Sequence, residues 1–339
     1  MIVAAGLGTR LRPLTELRPK PIVPVRGVPL IGYTLALLAR HGVTEVVINA
    51  HHLPDQLIGA AREVCPDSLT LQFSIESDLL DTGGAIRHVA EFLRGSDPCL
   101  IVGADMLLDT NLTKLVASHH ENRAAFTMLL KERDPHAEEF GTIGVDAHGC
   151  VRRIGSRFDL GGEVRSGVYT WANVVSARAL STLPDREVFN HLDDWLMPLL
   201  ADGAGDIQAA LAGPDDCIWE PVGTRAEYLA ANLNLPPLSY IHSVIGATAR
   251  YAGATEDVII GEGATLGAGA SLRRVVVWDG EAVTEGLRAS DGVFAGGRFH
   301  SCAPEPGTGV DGGPGEESNS GNAGNFEVGA DKQHGGADA

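Results

Sequence analysis

The sequence has no apolar run near the 18 or so residues that a membrane span requires. No signal peptide is expected in it: Met1-Ile2-Val3-Ala4-Ala5 meets glycine and arginine at once and carries no basic leader. Aromatic residues are scarce, at 5%. The five cysteines (Cys65, Cys99, Cys150, Cys217 and Cys302) are odd in number, far apart and form no Cys-x-x-Cys pair. That argues against a disulfide framework or a thiolate metal site, and the expected setting is the reducing cytoplasm. Bases are the minority charge, 26 against 44 acids, for a net charge of −18. A field of that sign disfavours nucleic acid or an anionic membrane as the main partner. A site for an anionic ligand must therefore come from a local cluster of bases.

What is present suits a globular chain of ordinary domain sizes: 339 residues, 44% hydrophobic and 21% charged. Strand and helix patterns alternate over the first 125 residues. Strands are expected at Ile2 to Ala5, Glu45 to Asn49, Leu69 to Ile75, Cys99 to Val102 and Ala125 to Leu130. Helices are expected at Leu30 to Arg40 (stopped by Gly42), Asp55 to Glu63, Gly83 to Leu93 and Leu112 to His120. Such alternation implies an α/β fold on a parallel, doubly wound sheet, with ligands at the carboxyl ends of its strands. From Gly141 the pattern becomes antiparallel. Thr142 to Val145 and Val151 to Ile154 read as a hairpin, Val168 to Val175 as a strand, and Asn190 to Leu200 and Arg225 to Leu233 as helices. This region reads as a substrate-side extension that completes a first domain over residues 1–237.

Residues 241–300 read differently. Ile245 and Tyr251 are six apart, as are Ile260, Leu266, Leu272 and Trp278 in succession, and Gly follows Ile245, Ile260 and Leu266. A six-residue period with small residues between is the signature of a left-handed hexapeptide β-helix. The nine residues from Tyr251 to Ile260 read as an insertion in one turn. About two coils are too few to stand alone, so packing on the first domain or on a second copy of the chain is expected. Residues 304–339, rich in Gly and acids and poor in apolar residues, read as disordered.

The most informative stretch is Ala5-Gly6-Leu7-Gly8-Thr9-Arg10-Leu11-Arg12-Pro13-Leu14-Thr15, followed by Pro19-Lys20-Pro21. Glycines directly after a strand let backbone amides approach a polyanion. A dinucleotide fingerprint would need a third Gly where Leu11 stands, and a Walker loop would need Gly-Lys-Ser/Thr. Three bases, Arg10, Arg12 and Lys20, stand close behind the turn in a strongly acidic chain, interleaved with prolines and apolar residues. They form the local cationic cluster that an anion site requires.

This stretch resembles the signature of the sugar-1-phosphate nucleotidyltransferases, Gly-x-Gly-Thr-Arg-Leu-x-Pro-Leu-Thr followed by Pro-Lys-Pro. Order and spacing are similar over roughly residues 1–235, and the hexapeptide segment resembles the C-terminal β-helix of the mannose-1-phosphate guanylyltransferases. Members carry two or three more residues before the first strand, so a shortened start is expected. The resemblance implies that Ala5, Gly6, Gly8 and Thr9 bind nucleotide, with Arg10 and Lys20 on the pyrophosphate. It implies that Leu80-Asp81-Thr82-Gly83-Gly84 is a second nucleotide turn and that Glu76 reads the base. Phe140-Gly141 and Ser166-Gly167-Val168-Tyr169 resemble the sugar contacts, and Asp105 resembles a magnesium ligand. In the family a Trp-x-Asp-x-Gly-Thr pattern supplies the second metal carboxylate. Here Trp219-Glu220-Pro221-Val222-Gly223-Thr224 puts a proline there, leaving Glu220 as a substitute through a local bulge or Asp105 alone with phosphates and water. The Glu-Lys-Pro of many members is absent; the corresponding stretch is Ile154-Gly155-Ser156-Arg157-Phe158, where Arg157 would stand in for the Lys.

The implied reaction joins a nucleoside triphosphate to a sugar 1-phosphate, releasing pyrophosphate and an NDP-sugar. GTP with mannose 1-phosphate is the first expectation. Alternatives are uridylyl or thymidylyl transfer to another hexose or amino-sugar phosphate, and a non-catalytic, nucleotide-sugar-binding regulator. A glycosyltransferase on a similar sheet would need an Asp-x-Asp metal motif on a strand end, and none is found. The adjacent pairs His51-His52 and His119-His120 do not face one another on a strand or helix and suggest no zinc site.

Overall fold

The computed structural model describes residues 1–203, 206–240 and 256–302. The expected disordered tail and the Ile245 and Tyr251 repeats lie outside them. The strands in chain order are β1 (Ile2–Val3), β2 (Glu45–Ala50), β3 (Thr70–Ile75), β4 (Cys99–Gly103), β5 (Met106–Thr110), β6 (Phe126–Lys131), β7 (Ile143–Val145), β8 (Val151–Ile154), β9 (Arg165–Val175), β10 (Ile207–Ala212), β11 (Cys217–Pro221), β12 (Glu256–Ile260), β13 (Ser271–Val277), β14 (Arg288–Ala295) and β15 (Arg298–Ser301). The helices are α1 (Leu14–Leu17), α2 (Leu30–Arg40), α3 (Pro54–Glu63), α4 (Asp81–His88), α5 (Ala90–Leu93), α6 (Leu112–Glu121), α7 (Ala137–Phe140), α8 (Ala177–Leu180), α9 (Met197–Ala201) and α10 (Arg225–Leu233), with a π-helical turn at His191–Leu196.

A mixed, Rossmann-like sheet organises the first 240 residues. β1 lies parallel between β4 and β2, with Ile2 opposite both Val102 and Ile48, and β3 extends the parallel set beside β2. The sheet departs from all-parallel at β9, which runs antiparallel to β4 on one edge and to β6 on the other. β9 also carries the β7–β8 hairpin, and β10 joins β6 in parallel. Alternation along the strands sends Ile2, Ile48 and Val102 into one apolar cluster, and Met1, Val47 and Ile101 into another. β1, β2, β3 and β4 all end at the same edge, where the loops bearing Gly6, His51, Glu76 and Asp105 emerge.

Most elements fall where their patterns place them. α2 buries Leu30, Ile31, Leu35 and Leu38 and stops before Gly42 in the left-handed region (φ +77°). α10 starts on a capping box, with Thr224 and Glu227 each holding the other's backbone. The expected helix Gly83 to Leu93 breaks at Val89 into α4 and α5. β5 and its antiparallel partner β11, which pair Met106 with Pro221, carry no clear periodic signal and were not anticipated.

The C-terminal unit is a ladder in which β12, β13 and β14 are parallel with a register that advances by 17 residues, from Val258 to Val275 to Gly292, and β15 closes antiparallel on β14. Gly261 and Gly267 are needed there because the next pass of the chain runs against them: a Cβ would lie 2.5 Å from Asp279 N and 2.4 Å from Glu285 N. The unit packs on the first domain through α10, with Trp278 Nε1 donating to the Tyr228 hydroxyl at 2.9 Å. Among the described residues no helix is long and apolar enough to cross a bilayer.

Candidate active site

β1 runs directly into the glycine loop. Ala5 is buried, Gly6 is exposed, and nothing lies within 4 Å of where a Gly6 Cβ would sit. The backbone N–H groups of Gly6, Leu7, Gly8, Thr9 and Arg10 donate to no protein acceptor among the described residues. Gly8 sits at φ +60°, and a Cβ there would lie 2.9 Å from Thr15 Cγ2 and 3.0 Å from Lys20 Cβ. Glycine is thus required both for the left-handed turn and for the close approach. The turn is tied from behind: Thr15 Oγ1 donates to Gly8 O at 2.9 Å, and His52 Nε2 lies 2.9 Å from Thr15 O. A 3₁₀ turn at Thr9–Leu11 then anchors on the buried Leu11 and leaves Arg10 and Arg12 exposed.

Lys20 is mostly buried, and its Nζ contacts Asp105 Oδ2 at 2.9 Å. Burial pushes the Asp105 carboxyl up, but the Lys20 ammonium, Asp105's own backbone amide and Arg10 more than reverse this, holding it below its ordinary 3.8. Asp105 is therefore an anion at neutral pH, just past the carboxyl end of β4. Arg10 Nη1 lies 3.3 Å from Glu139 Oε1 in an exposed pair, and the guanidinium sits over the Phe140 ring. The sequence had separated Arg10, Lys20 and Asp105; the fold lines one small cavity with all three, together with Met106, Phe140, Trp171, Trp219, Pro221 and Gly223.

Other expected residues take different places. Glu76 is 5% exposed. Its Oε1 accepts from Asn49 Nδ2 at 2.8 Å and its Oε2 from Leu80 N at 3.2 Å, while Asn49 Oδ1 accepts from Ala4 N at 2.7 Å. Glu76 therefore braces the ends of β1, β2 and β3 beneath the loop, because the buried donors there need an acceptor. Gly83 and Gly84 donate their N–H groups to Phe189 O at 2.9 and 3.2 Å. A Gly84 Cβ would lie 2.1 Å from Glu187 O. This glycine pair lets the chain at 187–190 close onto α4, and these two amides are already engaged. Gly141 (φ +71°) ends α7 with open space beside it, whereas Gly167 lies in β9 with Lys131 O 2.8 Å from a would-be Cβ. Arg157 pairs with Asp193 at 2.6 Å.

The metal expectation divides. On β11 alternate residues face opposite ways, and Trp219 and Pro221 line the cavity, not Glu220. Glu220 stands opposite Leu107. Burial raises its carboxyl, with His136 and Lys131 pulling it back. No bulge in β11 brings it beside Asp105. Among the described residues no group of three or more His, Cys, Asp or Glu could hold an ion. Of the two expected carboxylates, only Asp105 is placed to offer a magnesium ion an oxygen at the cavity, where phosphates would have to supply the rest.

Trp171 was not singled out in the sequence, and Gly223 stood there only within the Trp219–Thr224 pattern. Trp171 carried a faint signal, two residues beyond Tyr169 on a predicted strand. Gly223 is placed by contact: a Cβ there would lie 2.8 Å from Arg10 Nη2.

A protein-family model described as "Nucleotidyl transferase" matches residues 1–236. The chain is 28% identical over 306 residues to a mannose-1-phosphate guanylyltransferase of Mycobacterium tuberculosis, covering 84% of this chain and 81% of that protein. It is 37% identical over 139 residues to an N-acetylmuramate alpha-1-phosphate uridylyltransferase of Neisseria meningitidis, covering 40% of this chain and 60% of that protein. Among solved structures, HddC from Yersinia pseudotuberculosis superposes with a TM-score of 0.56 at 22% identity, over 68% of this chain and 96% of that one. At that identity the likeness concerns the fold.

Proposed function

We propose, from the premise that this chain belongs to the nucleotidyl transferase family as a sugar-1-phosphate nucleotidyltransferase, that it joins GTP and mannose 1-phosphate into GDP-mannose and pyrophosphate. The observation that carries the reading is the run of unengaged amides at Gly6 to Arg10 beside Arg10 and Lys20 in a chain of net charge −18. Guanine and mannose are favoured because the similarity to the guanylyltransferase of M. tuberculosis extends over 84% of this chain. The 17-residue ladder and the cluster that Ile260 and Leu272 form with Val258, Val275, Val277, Val283 and Phe294 support reading residues 256–302 as a short β-helix, although Leu266 is exposed and Trp278 faces the first domain. Five free thiols support a reducing compartment.

The sugar phosphate oxygen is already an anion at neutral pH and needs no general base. The barrier lies in bringing two anions together and in the charge that gathers on the departing pyrophosphate. The loop amides hold phosphate oxygens, and Arg10 and Lys20 stabilise the leaving group as its charge grows. Asp105 orients Lys20 and would hold magnesium together with the phosphates. When bound, magnesium supplies neutralisation of charge on phosphate oxygens.

The test is pyrophosphate release for four triphosphates against mannose, glucose and amino-sugar 1-phosphates, with magnesium. Highest kcat/KM for GTP with mannose 1-phosphate supports the reading. The 37% identity to the uridylyltransferase favours UTP with an amino-sugar phosphate as the second reading, and the same screen decides between them. Binding of a nucleotide-sugar with no turnover of any pair would make the chain a regulatory relative.

A further inference from the structure

Resting on the reading above, we infer that Trp171 is the residue that holds the sugar: its indole stacks against the pyranose ring of the hexose 1-phosphate.

The placement is costly and specific. Trp171 lies in β9 at φ +58°, a left-handed conformation that a bulky side chain rarely adopts. It sits where the pairing of β9 with β6 slips between Tyr169 and Asn173. A bulge of this kind re-aims a side chain, and here it brings Trp171 to the wall of the cavity that holds Lys20 and Asp105. Gly103 keeps the indole near the carboxylate, since a Cβ there would meet Asp105 Oδ1 and Trp171 Cβ, both at 3.2 Å.

The ring is braced by two others and packs against the apolar cluster that holds Ile2, Ile48 and Val102. Tyr169 stacks on it with centroids 5.4 Å apart, and His191 lies 4.6 Å away. Tyr169 and His191 are themselves 6.1 Å apart. The three rings form one aromatic cluster beside the cavity. The braces are fixed in turn: Thr82 Oγ1 lies 2.7 Å from His191 Nδ1, and the Tyr169 hydroxyl donates to Asn173 Oδ1 at 2.9 Å. Trp171 is half-buried and lines the cavity.

The other aromatic walls are already engaged. Trp219 is 3% exposed, with its Nε1 on Met106 Sδ and Phe140 and His136 at its edges. Phe140 carries the Arg10 guanidinium on its face. An indole face is electron-rich and attracts the positive C–H edges of a sugar ring, whereas it offers nothing to a phosphate.

The experiment compares wild type, Trp171→Phe and Trp171→Ala with mannose 1-phosphate and glucose 1-phosphate as substrates, and with methyl phosphate as a competitive inhibitor that lacks the ring. Trp171→Ala should raise the KM for hexose 1-phosphate about tenfold or more. The KM for the triphosphate should stay within about twofold, as should the methyl phosphate Ki, and Trp171→Phe should recover part of the loss. A second readout is indole fluorescence in a Trp219→Phe background, because Trp219 lines the same cavity. There hexose 1-phosphate should change the emission through Trp171. Methyl phosphate should leave it unchanged, and Trp171→Phe should abolish the response. An unchanged hexose 1-phosphate KM, a joint rise of both KM values, or a fluorescence response surviving in Trp171→Phe overturns the assignment while leaving the nucleotidyltransferase reading intact. A wild-type protein that turns over no substrate pair overturns both.

Discussion

Lys20 shows how one side chain comes to carry charge in a nearly closed setting. Its stem is buried against Gly8 and its ammonium ends on Asp105. Lys20→Ala should keep the fold and lower kcat on the order of 10²- to 10³-fold, the usual cost of removing one electrostatic donor. Near-wild-type pyrophosphate release from the variant would remove Lys20 from the mechanism. Gly8→Ala acts on the same spot from the other side. Its methyl group would press on Thr15 and Lys20 at 2.9–3.0 Å with φ at +60°, costing about 1–2 kcal/mol for the left-handed backbone alone. We expect a tenfold or larger rise in the triphosphate KM with a modest fall in Tm. Unchanged triphosphate KM would mean the loop does not hold phosphate. Both residues stood out in the sequence because glycine and lysine at this spacing have a chemical reason to be there. Trp171 did not, since its position depends on a bulge that no local pattern announces.

At the scale of elements, the glycine pair at the start of α4 has become a packing device. Phe189 O takes both amides, and the chain at 187–190 passes too close for any side chain. Gly84→Ala should therefore pry α4 from that segment and destabilise the protein by about 1–3 kcal/mol, the range for overpacking. Urea unfolding would show it, and a wild-type midpoint would contradict the packing account. The turn at 80–84 was legible as a glycine-rich helix start. Its partner was not, because the contact joins residues about a hundred positions apart. The same holds for β5 and β11: their pairing, not their periodicity, makes them strands, and it sets Pro221 rather than Glu220 into the cavity.

At the scale of the whole molecule, two histidines are buried without charge. His119 lies between Thr127 and Ser176 at 2.8 Å, and burial, with His120 adding to it, pushes its pKa down to about 4. Burial pushes His191 to about 3. In the unfolded chain both titrate near 6.5. Between those values the unfolded state binds protons that the native state refuses, so stability falls as pH falls below 6.5. At pH 5 the loss is about 2 kcal/mol for each histidine. The carboxylates held low, Asp105 and Asp134, stabilise the fold above 3.8 and lose that contribution only on further acidification, so they do not mask the effect. Denaturant midpoints at pH 7 and pH 5 should differ accordingly, and His119→Gln should shrink the difference; equal midpoints would refute it.

What the chain by itself determined is the material of the site and most of its scaffold. Alternating apolar periods set the core strands and helices, glycines after a strand set the open loop, and a few bases in an acidic chain set the sign of its ligand. These are local properties, carried by residues within one turn or one strand. Tertiary structure alone decided which of them meet. It ran β9 antiparallel through the sheet, turned Glu76 and Gly83-Gly84 into braces, excluded Glu220 and brought Trp171 to the cavity. Each of these depends on contacts between segments far apart in the chain, where burial and close approach outweigh local preference.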